Sequence, residues 1–159
     1  MADPEAGGAE LGELARRFTN SFNTDDINVV MSYFADDAVY VTFDGRVNRG
    51  RRAIREAFEP QFRGHFGTLR FHTEDIIAHP TSGKAVVRWL CRHEITEAPG
   101  LPTIARLKLA AYRGLYGPVF GWHGLDVLRF EGGLVREKYT YSRTRIPLAE
   151  RDPPTPKGP

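Results

Sequence analysis

The sequence predicts an α+β domain in which helices come first and strands follow. Apolar residues recur at helical spacing over residues 10–22, again over 27–34, and a third time over 50–62. Long runs with alternating apolar and polar residues follow and indicate strands. We therefore expect about three N-terminal helices packed against a sheet that is built mainly from the C-terminal half of the chain.

One strand is predicted before the third helix and four after it. The early strand is residues 38–43, which are rich in β-branched and aromatic side chains. Residues 69–78 and 84–96 give the next two strands. The last two lie within residues 121–141, where a Gly-Gly turn signal at Glu131-Gly132-Gly133 predicts a hairpin.

The domain is expected to span residues 10–146, with an insertion at 98–118. A disordered N-terminus is expected at 1–9 and a Pro-rich flexible tail at 147–159. The insertion is framed by Pro and Gly, and its centre has helical spacing. It is interpreted as a short helix between late strands, acting as a lid over a pocket, a packing helix or an oligomer contact.

Composition excludes several classes of function. The 159 residues include 22 basic and 20 acidic side chains, and a net charge of +2 does not indicate a nucleic-acid partner. The single cysteine, Cys91, excludes an internal disulfide and a cysteine-only metal site. Neither a phosphate-binding loop nor a metal-ligand motif is present, so no cofactor or metal is expected. Because there is no long apolar run, a cytoplasmic protein without membrane partners is expected.

Asp126 is the most informative single residue. Alternation along its strand places it on the same face as Trp122, Gly124, Leu128 and Phe130. A carboxylate on an apolar wall is either buried with a structural partner or part of a functional site. The sequence leaves both interpretations open.

Three pieces of sequence carry a family resemblance. They are YFADDAV at residues 33–39, Gly50 at the start of the third helix, and LDVLRF at 125–130 followed by a glycine turn. With the order of elements over residues 10–143, they resemble the SnoaL-like branch of the nuclear transport factor 2-like superfamily, which includes polyketide cyclases and ketosteroid isomerases. The resemblance implies a cone-shaped, strongly curved antiparallel sheet wrapped around the N-terminal helices, enclosing an apolar pocket. It also implies a homodimer formed through the convex face of the sheet.

The resemblance places Asp126 where ketosteroid isomerases carry the acid that hydrogen-bonds a developing oxyanion. The tyrosine and the aspartate base of those enzymes correspond to Phe18 and Thr42, so their mechanism is not expected here. SnoaL-like cyclases and limonene-type epoxide hydrolases have an acidic residue on the last strand, where this chain has Tyr139.

The implied cone has a mostly aromatic interior, which suits a small hydrophobic ligand of polyketide or terpenoid type. Asp126 is the candidate general acid, because desolvation favours its protonated form. His93 is the candidate base, and Tyr139 is a candidate hydrogen-bond donor. The predicted substrate-binding residues are Phe18, Phe22, Tyr40, Thr42, Phe58, Trp89, Cys91, Trp122 and Tyr141.

Three functions remain open at this point. The first is a cofactor-independent acid–base enzyme that acts on a hydrophobic substrate by cyclisation, isomerisation or hydration. The second is a non-catalytic ligand-binding or dimerising module of the same fold, in which Asp126 makes a structural hydrogen bond. The third, a nucleic-acid-associated protein, would use the basic cluster Arg49, Arg51, Arg52 and Arg55, although a solvated helix face is its default interpretation.

Overall fold

The computed structural model describes residues 4–143. Two single helical turns, Phe22–Thr24 and Pro80–Ser82, lie between longer elements. The helices are α1 (Pro4–Ser21), α2 (Ile27–Ser32), α3 (Gly50–Phe62) and α4 (Thr103–Tyr116). The strands are β1 (Phe34–Val41), β2 (Val47–Arg49), β3 (Thr68–His79), β4 (Lys84–Glu94), β5 (Val119–Glu131) and β6 (Leu134–Ser142).

The six strands form one open sheet in the order β2-β1-β6-β5-β4-β3. Neighbouring strands are antiparallel except β1 and β6, which run parallel. The expected antiparallel sheet is therefore mixed, because the first strand pairs with the last one, and residue patterns within each strand do not reveal that pairing. Irregularities in the β1–β6, β3–β4 and β5–β6 ladders accompany a cone-like curvature.

The N-terminal helices pack on the concave face of the sheet. Phe18 of α1 is fully buried, and its ring makes edge contacts with Phe22 and with Phe34 of β1. From α3, Ile54 and Phe58 enter the same core. The α+β class and the helix-filled, cone-like arrangement are thus confirmed.

Some predicted boundaries are displaced. Helix α1 begins at Pro4, so residues 4–9, which were expected to be disordered, are helical. The strand expected at 38–43 begins at Phe34, and β2 was not predicted. Residues 1–3 and the tail expected at 147–159 lie outside the described part of the chain.

The insertion forms helix α4, whose buried residues are Ala105, Leu109 and Tyr116, and the Tyr116 ring packs on Phe120 of β5. Residues 98–102, which precede this helix, line a surface cleft. Across residues 4–143, no helix combines the length and the apolar character that a membrane span requires.

Candidate active site

The candidate site is a polar cluster on the concave face of the sheet. Asp126 on β5 lies opposite Val87 of β4 on one side and opposite Thr140 of β6 on the other. Residues directly opposite each other in adjacent strands share a face. Lys138, two positions before Thr140, therefore faces the interior as well.

Side-chain hydrogen bonds join Asp126, Lys138 and Thr140. The Lys138 ammonium donates to Asp126 Oδ1, which also accepts from Thr140 Oγ1 at 2.6 Å. Lys138 Nζ lies 2.7 Å from Thr140 Oγ1 as well. Asp126 is 5% exposed and Lys138 is 4% exposed. Two opposite charges are thus held almost completely out of water, which is favourable only when both are paired and hydrogen-bonded.

Tyr40 on β1 completes the cluster. Lys138 Nζ lies 5.1 Å from the centroid of the Tyr40 ring, within the range of a cation–π contact. Strand β1 places Tyr40 beside Lys138 through the parallel pairing of β1 with β6. The site therefore depends on the contact between the first and the last strand of the fold.

Burial determines the electrostatics of the cluster. Desolvation lowers the pKa of the Lys138 ammonium, and the adjacent Asp126 carboxylate opposes that shift. Burial raises the pKa of the Tyr40 phenol far above its usual value, and the Asp126 charge adds to this effect. Tyr40 therefore keeps its proton, and Lys138 holds a proton less firmly than an exposed lysine would. Chemically, the cluster offers a carboxylate acceptor beside two proton-bearing groups.

Lys138 is the residue that sequence reasoning missed, and a β-bulge is the reason. A simple hairpin around Gly132 and Gly133 would place Asp126 opposite Tyr139. The observed ladder pairs Phe130 with Val135 and Arg129 with Glu137, which leaves Arg136 as an extra residue. This single insertion moves Thr140 opposite Asp126 and reverses which β6 side chains face inward.

The predictions that Tyr139 and Tyr141 face the interior are consequently wrong. Tyr139 pairs with Val127, and Tyr141 pairs with Leu125, on the opposite face of the sheet from Asp126. Tyr141 is 58% exposed. The larger apolar residues Val135, Tyr139 and Tyr141 keep a single alternation along β6, which predicts the regular register and so hides the bulge.

His93 does not lie beside Asp126, contrary to its predicted role as the paired base. It is on the neighbouring strand and the same face, but six positions beyond Val87, which is about 20 Å of extended strand. Its Nδ1 lies 3.1 Å from the Phe66 carbonyl oxygen, so this nitrogen carries the proton and donates. The ring stacks on Phe120, and burial lowers the pKa of His93 to about 4.

Most residues predicted to bind substrate form one packed interior. Thr42 and Tyr141 are the exceptions. Tyr141 lies on the opposite face of the sheet, and Thr42 follows the end of β1, where its hydroxyl donates to Asp44 and accepts from the Arg46 amide. Two clefts of about 590 and 660 Å³ open on the surface, and neither is lined by Asp126 or Lys138. The residues that share the buried core are Phe18, Phe22, Tyr40, Phe58, Trp89 and Cys91, with Trp122 packed against it.

The fold and the site together define a class of protein. A cone-like mixed sheet filled by N-terminal helices is the architecture of nuclear transport factor 2-like proteins, and in this chain the concave face carries an ionisable pair. The family model of the SnoaL-like domain matches residues 15–138. The chain therefore belongs to the SnoaL-like domain family.

Solved structures of the same fold share little sequence with this chain. AclR of Streptomyces galilaeus, a proposed hydroxylase, is 19% identical over 87% of this chain and 78% of its own, with a TM-score of 0.63. A proposed SnoaL-like polyketide cyclase from Jannaschia sp. CCS1 is 12% identical, with 90% and 92% covered and a TM-score of 0.65. SalBIII, an epoxide hydrolase/cyclase-like enzyme of pyran ring formation in salinomycin, is 13% identical, with 86% and 92% covered and a TM-score of 0.64. Sequence identities this low establish the shared fold and nothing about function. Among curated proteins, no sequence matches the chain.

Proposed function

We propose that the protein is a cofactor-independent acid–base enzyme of the cyclase, isomerase or hydratase type, acting on a small hydrophobic substrate. The observation that carries this proposal is the buried Asp126–Lys138 pair on a concave wall that is mostly apolar. Keeping two charges out of water is costly, and apolar residues of similar volume would often stabilise the fold as well or better. Perturbed, buried ionisable groups of this kind concentrate at functional sites.

In the proposed chemistry, the cluster polarises a substrate oxygen and moves one proton. Lys138 donates a hydrogen bond or its proton to a carbonyl or epoxide oxygen, and the phenol of Tyr40 adds a second donor. The Asp126 carboxylate accepts a proton from carbon or from an attacking hydroxyl, so it acts as the base and not as the general acid predicted from the sequence. When Lys138 has given its proton to the substrate, the proton on Asp126 returns to Lys138 through their direct contact, which restores both groups. Thr140 fixes Asp126 through its hydrogen bond at 2.6 Å. The Phe58 ring stacks on the Tyr40 ring with 4.8 Å between their centroids, so a substrate that contacts this face of Tyr40 must displace Phe58.

The test is turnover of a substrate panel that contains a terpenoid epoxide and an aromatic polyketide ester, followed by product analysis. On any substrate turned over, Asp126→Asn and Lys138→Met are each expected to lower kcat by 100-fold or more, at unchanged circular dichroism. Tyr139→Phe is the matched control, because Tyr139 is on the other face of the sheet. Full turnover by Asp126→Asn would eliminate the proposal.

A second candidate function, a non-catalytic binding module, is favoured by one observation. Asp126 Oδ1 already accepts hydrogen bonds from both Lys138 and Thr140, as a purely structural acid would. If the protein is a binding module, the double variant Asp126→Leu with Lys138→Met is expected to bind ligand as the native protein does. If it is an enzyme, the same double variant is expected to lose turnover.

The oligomer we propose is a homodimer formed through the convex face of the sheet. Leu125, Val127, Tyr139 and Tyr141 all lie on the face opposite Asp126, and Tyr141 is largely exposed. Apolar and aromatic residues together on an exposed surface are typical of protein contacts. Light scattering during size-exclusion chromatography is expected to give twice the chain mass for the native protein, and the chain mass for Val127→Lys.

A nucleic-acid partner is not part of the proposal. Three arginines of the basic cluster each pair with an acid, so the cluster has little free positive charge. Arg51 contacts Asp36 at 3.4 Å, and Arg52 and Arg55 make pairs one helical turn apart on α3. A lack of salt-dependent retention on heparin is the expected result.

A further inference from the structure

A second candidate site is the surface cleft of about 590 Å³ between the end of α3 and residues 96–102. Its volume lies in the range of small-molecule sites. Three apolar side chains line it and form what we call its floor: Phe22 and Leu69 are buried, and Phe62 is half-buried. Thr68 and Thr96 also line the cleft and supply hydroxyl groups. An apolar floor with a few polar groups is the usual composition of a binding pocket.

Glycines join the two walls of the cleft where no side chain fits. Gly64 has a φ of +78°, and a Cβ there would lie 2.8 Å from the Cβ of Ala98 on the facing wall. At Gly67, with a φ of +74°, a Cβ would lie 2.2 Å from the carbonyl oxygen of Glu94. The α3–β3 loop therefore rests directly on the segment that leaves β4. This close contact fixes the shape of the cleft before any ligand binds.

Asp25 and Arg63, two ionisable side chains that line the cleft, are each paired with an opposite charge. Both carboxylate oxygens of Asp25 accept hydrogen bonds from Arg70 at 2.8 Å, and Arg63 contacts Glu59 at 3.1 Å. Asp25 also has a φ of +60°, which is uncommon for a residue other than glycine, at the end of the Phe22–Thr24 turn. A charged ligand would find no unpaired opposite charge among these side chains.

The hydroxyl pair provides the specific polar contact. Thr68 Oγ1 and Thr96 Oγ1 lie 2.8 Å apart, so one hydroxyl donates to the other. The accepting hydroxyl keeps its own hydrogen for a further acceptor, and both oxygens keep lone pairs. One ligand oxygen can therefore bind at this pair while its hydrocarbon rings lie on the aromatic floor.

We propose that the cleft binds a neutral, ring-containing small molecule, with its rings on Phe22, Phe62 and Leu69 and an oxygen at Thr68 and Thr96. This site is separate from the Asp126 cluster. The ring centroids of Phe22 and Phe58 are 5.2 Å apart, and Phe58 in turn stacks on Tyr40. The rings of Phe22 and Phe58 therefore lie between the cleft and the Asp126 cluster. Binding at the cleft does not depend on the catalytic role proposed for Asp126.

The experiment measures binding of 2-naphthol by its fluorescence and by backbone amide NMR shifts. The native protein is expected to bind it with shifts at residues 61–69 and 96–102, and to bind naphthalene-2-sulfonate at least tenfold more weakly. Thr68→Val with Thr96→Val keeps the shape of the wall and is expected to weaken binding about three- to tenfold. Thr81→Val, at the exposed turn before β4, is the matched control and leaves the affinity unchanged.

Two further variants distinguish binding at the cleft from the enzyme activity proposed for the Asp126 cluster. Ala98→Trp fills the cleft and is expected to abolish 2-naphthol binding, whereas Asp126→Asn leaves it within twofold of the native value. The proposal is overturned if 2-naphthol does not bind up to its solubility limit. It is also overturned if the double threonine variant binds like the native protein, or if the shifts centre on Tyr40 and Asp126. Loss of turnover in Asp126→Asn concerns only the proposed enzyme, since binding at the cleft is measured independently.

Discussion

Lys138 and Asp126 form a buried ion pair across the β5–β6 hairpin, although twelve positions separate them along the chain. Each side chain is less than 10% exposed, and Thr140 bonds to both. Replacing only one residue of a buried ion pair destabilises a fold strongly, because the other charge stays buried without a partner. Replacing both residues by apolar ones costs little stability. This asymmetry allows its role in stability to be measured separately from its role in function.

The first prediction concerns the stability of this pair. Lys138→Met leaves Asp126 buried without its ammonium and is expected to lower the free energy of unfolding by about 3–5 kcal/mol. Asp126→Leu combined with Lys138→Met is expected to cost much less than either single change, because no buried charge remains. Urea unfolding followed by circular dichroism measures the free energy of unfolding of the two single variants and of the double variant.

The exposed pair of Arg52 and Glu56 on α3 is the control for that experiment. Their side chains are 92% and 63% exposed, so Arg52→Met is expected to change the free energy of unfolding by less than about 1 kcal/mol. If the double variant at Asp126 and Lys138 were as unstable as the worse single variant, the pair would not behave as a coupled buried unit.

The second prediction concerns pH and His93. Burial lowers the folded-state pKa of His93 from 6.5 to about 4, so the unfolded chain binds this proton more readily than the folded chain. The stabilising contribution is fully present above pH 6.5, decreases as the pH falls, and is lost near pH 4. The loss amounts to about 3 kcal/mol.

The pH effect of His93 is isolated with His93→Gln, whose amide can still donate to the Phe66 carbonyl. Its stability is expected to fall less than that of the native protein between pH 6.5 and 4.5. His79→Gln, at an exposed position, should follow the native curve. Parallel curves for the native protein and His93→Gln would show that His93 does not contribute to acid sensitivity.

The third prediction compares two glycines. Gly67→Ala combines a positive φ with a Cβ placed 2.2 Å from a backbone oxygen, and is expected to destabilise the fold by more than about 2 kcal/mol. Gly114 lies inside α4 with open space around it, and Gly114→Ala is expected to stabilise by about 0.5–1 kcal/mol. Thermal unfolding monitors both, and equal effects at the two positions would contradict the prediction.

The fourth prediction concerns the thiol of Cys91. It is 1% exposed, and burial raises its pKa well above the usual value, so little thiolate is present at neutral pH. Dithionitrobenzoate is expected to react with it only at the rate of unfolding, and rapidly in urea. Fast labelling of the native protein would instead identify Cys91 as an accessible nucleophile.

Local patterns in the sequence were sufficient to predict most elements of this fold. Helical spacing located the three N-terminal helices, and alternation located β3 to β6, because each pattern reflects which side chains a helix or strand buries. The same alternation correctly placed Asp126 beside the apolar residues of its face. The motifs at residues 33–39 and 125–130, together with Gly50 and the order of elements, led to the family that the family model confirms.

Only the tertiary structure determined what Asp126 faces. The bulge at Arg136 depends on how β6 pairs with both β5 and the parallel strand β1, and it turns Lys138 inward in place of Tyr139. Whether His93 lies level with Asp126 depends likewise on strand register, which periodicity does not encode. The sequence alone thus determined the elements and their buried faces, because these follow from local spacing. The partners within the site were decided by contacts between residues far apart in the chain.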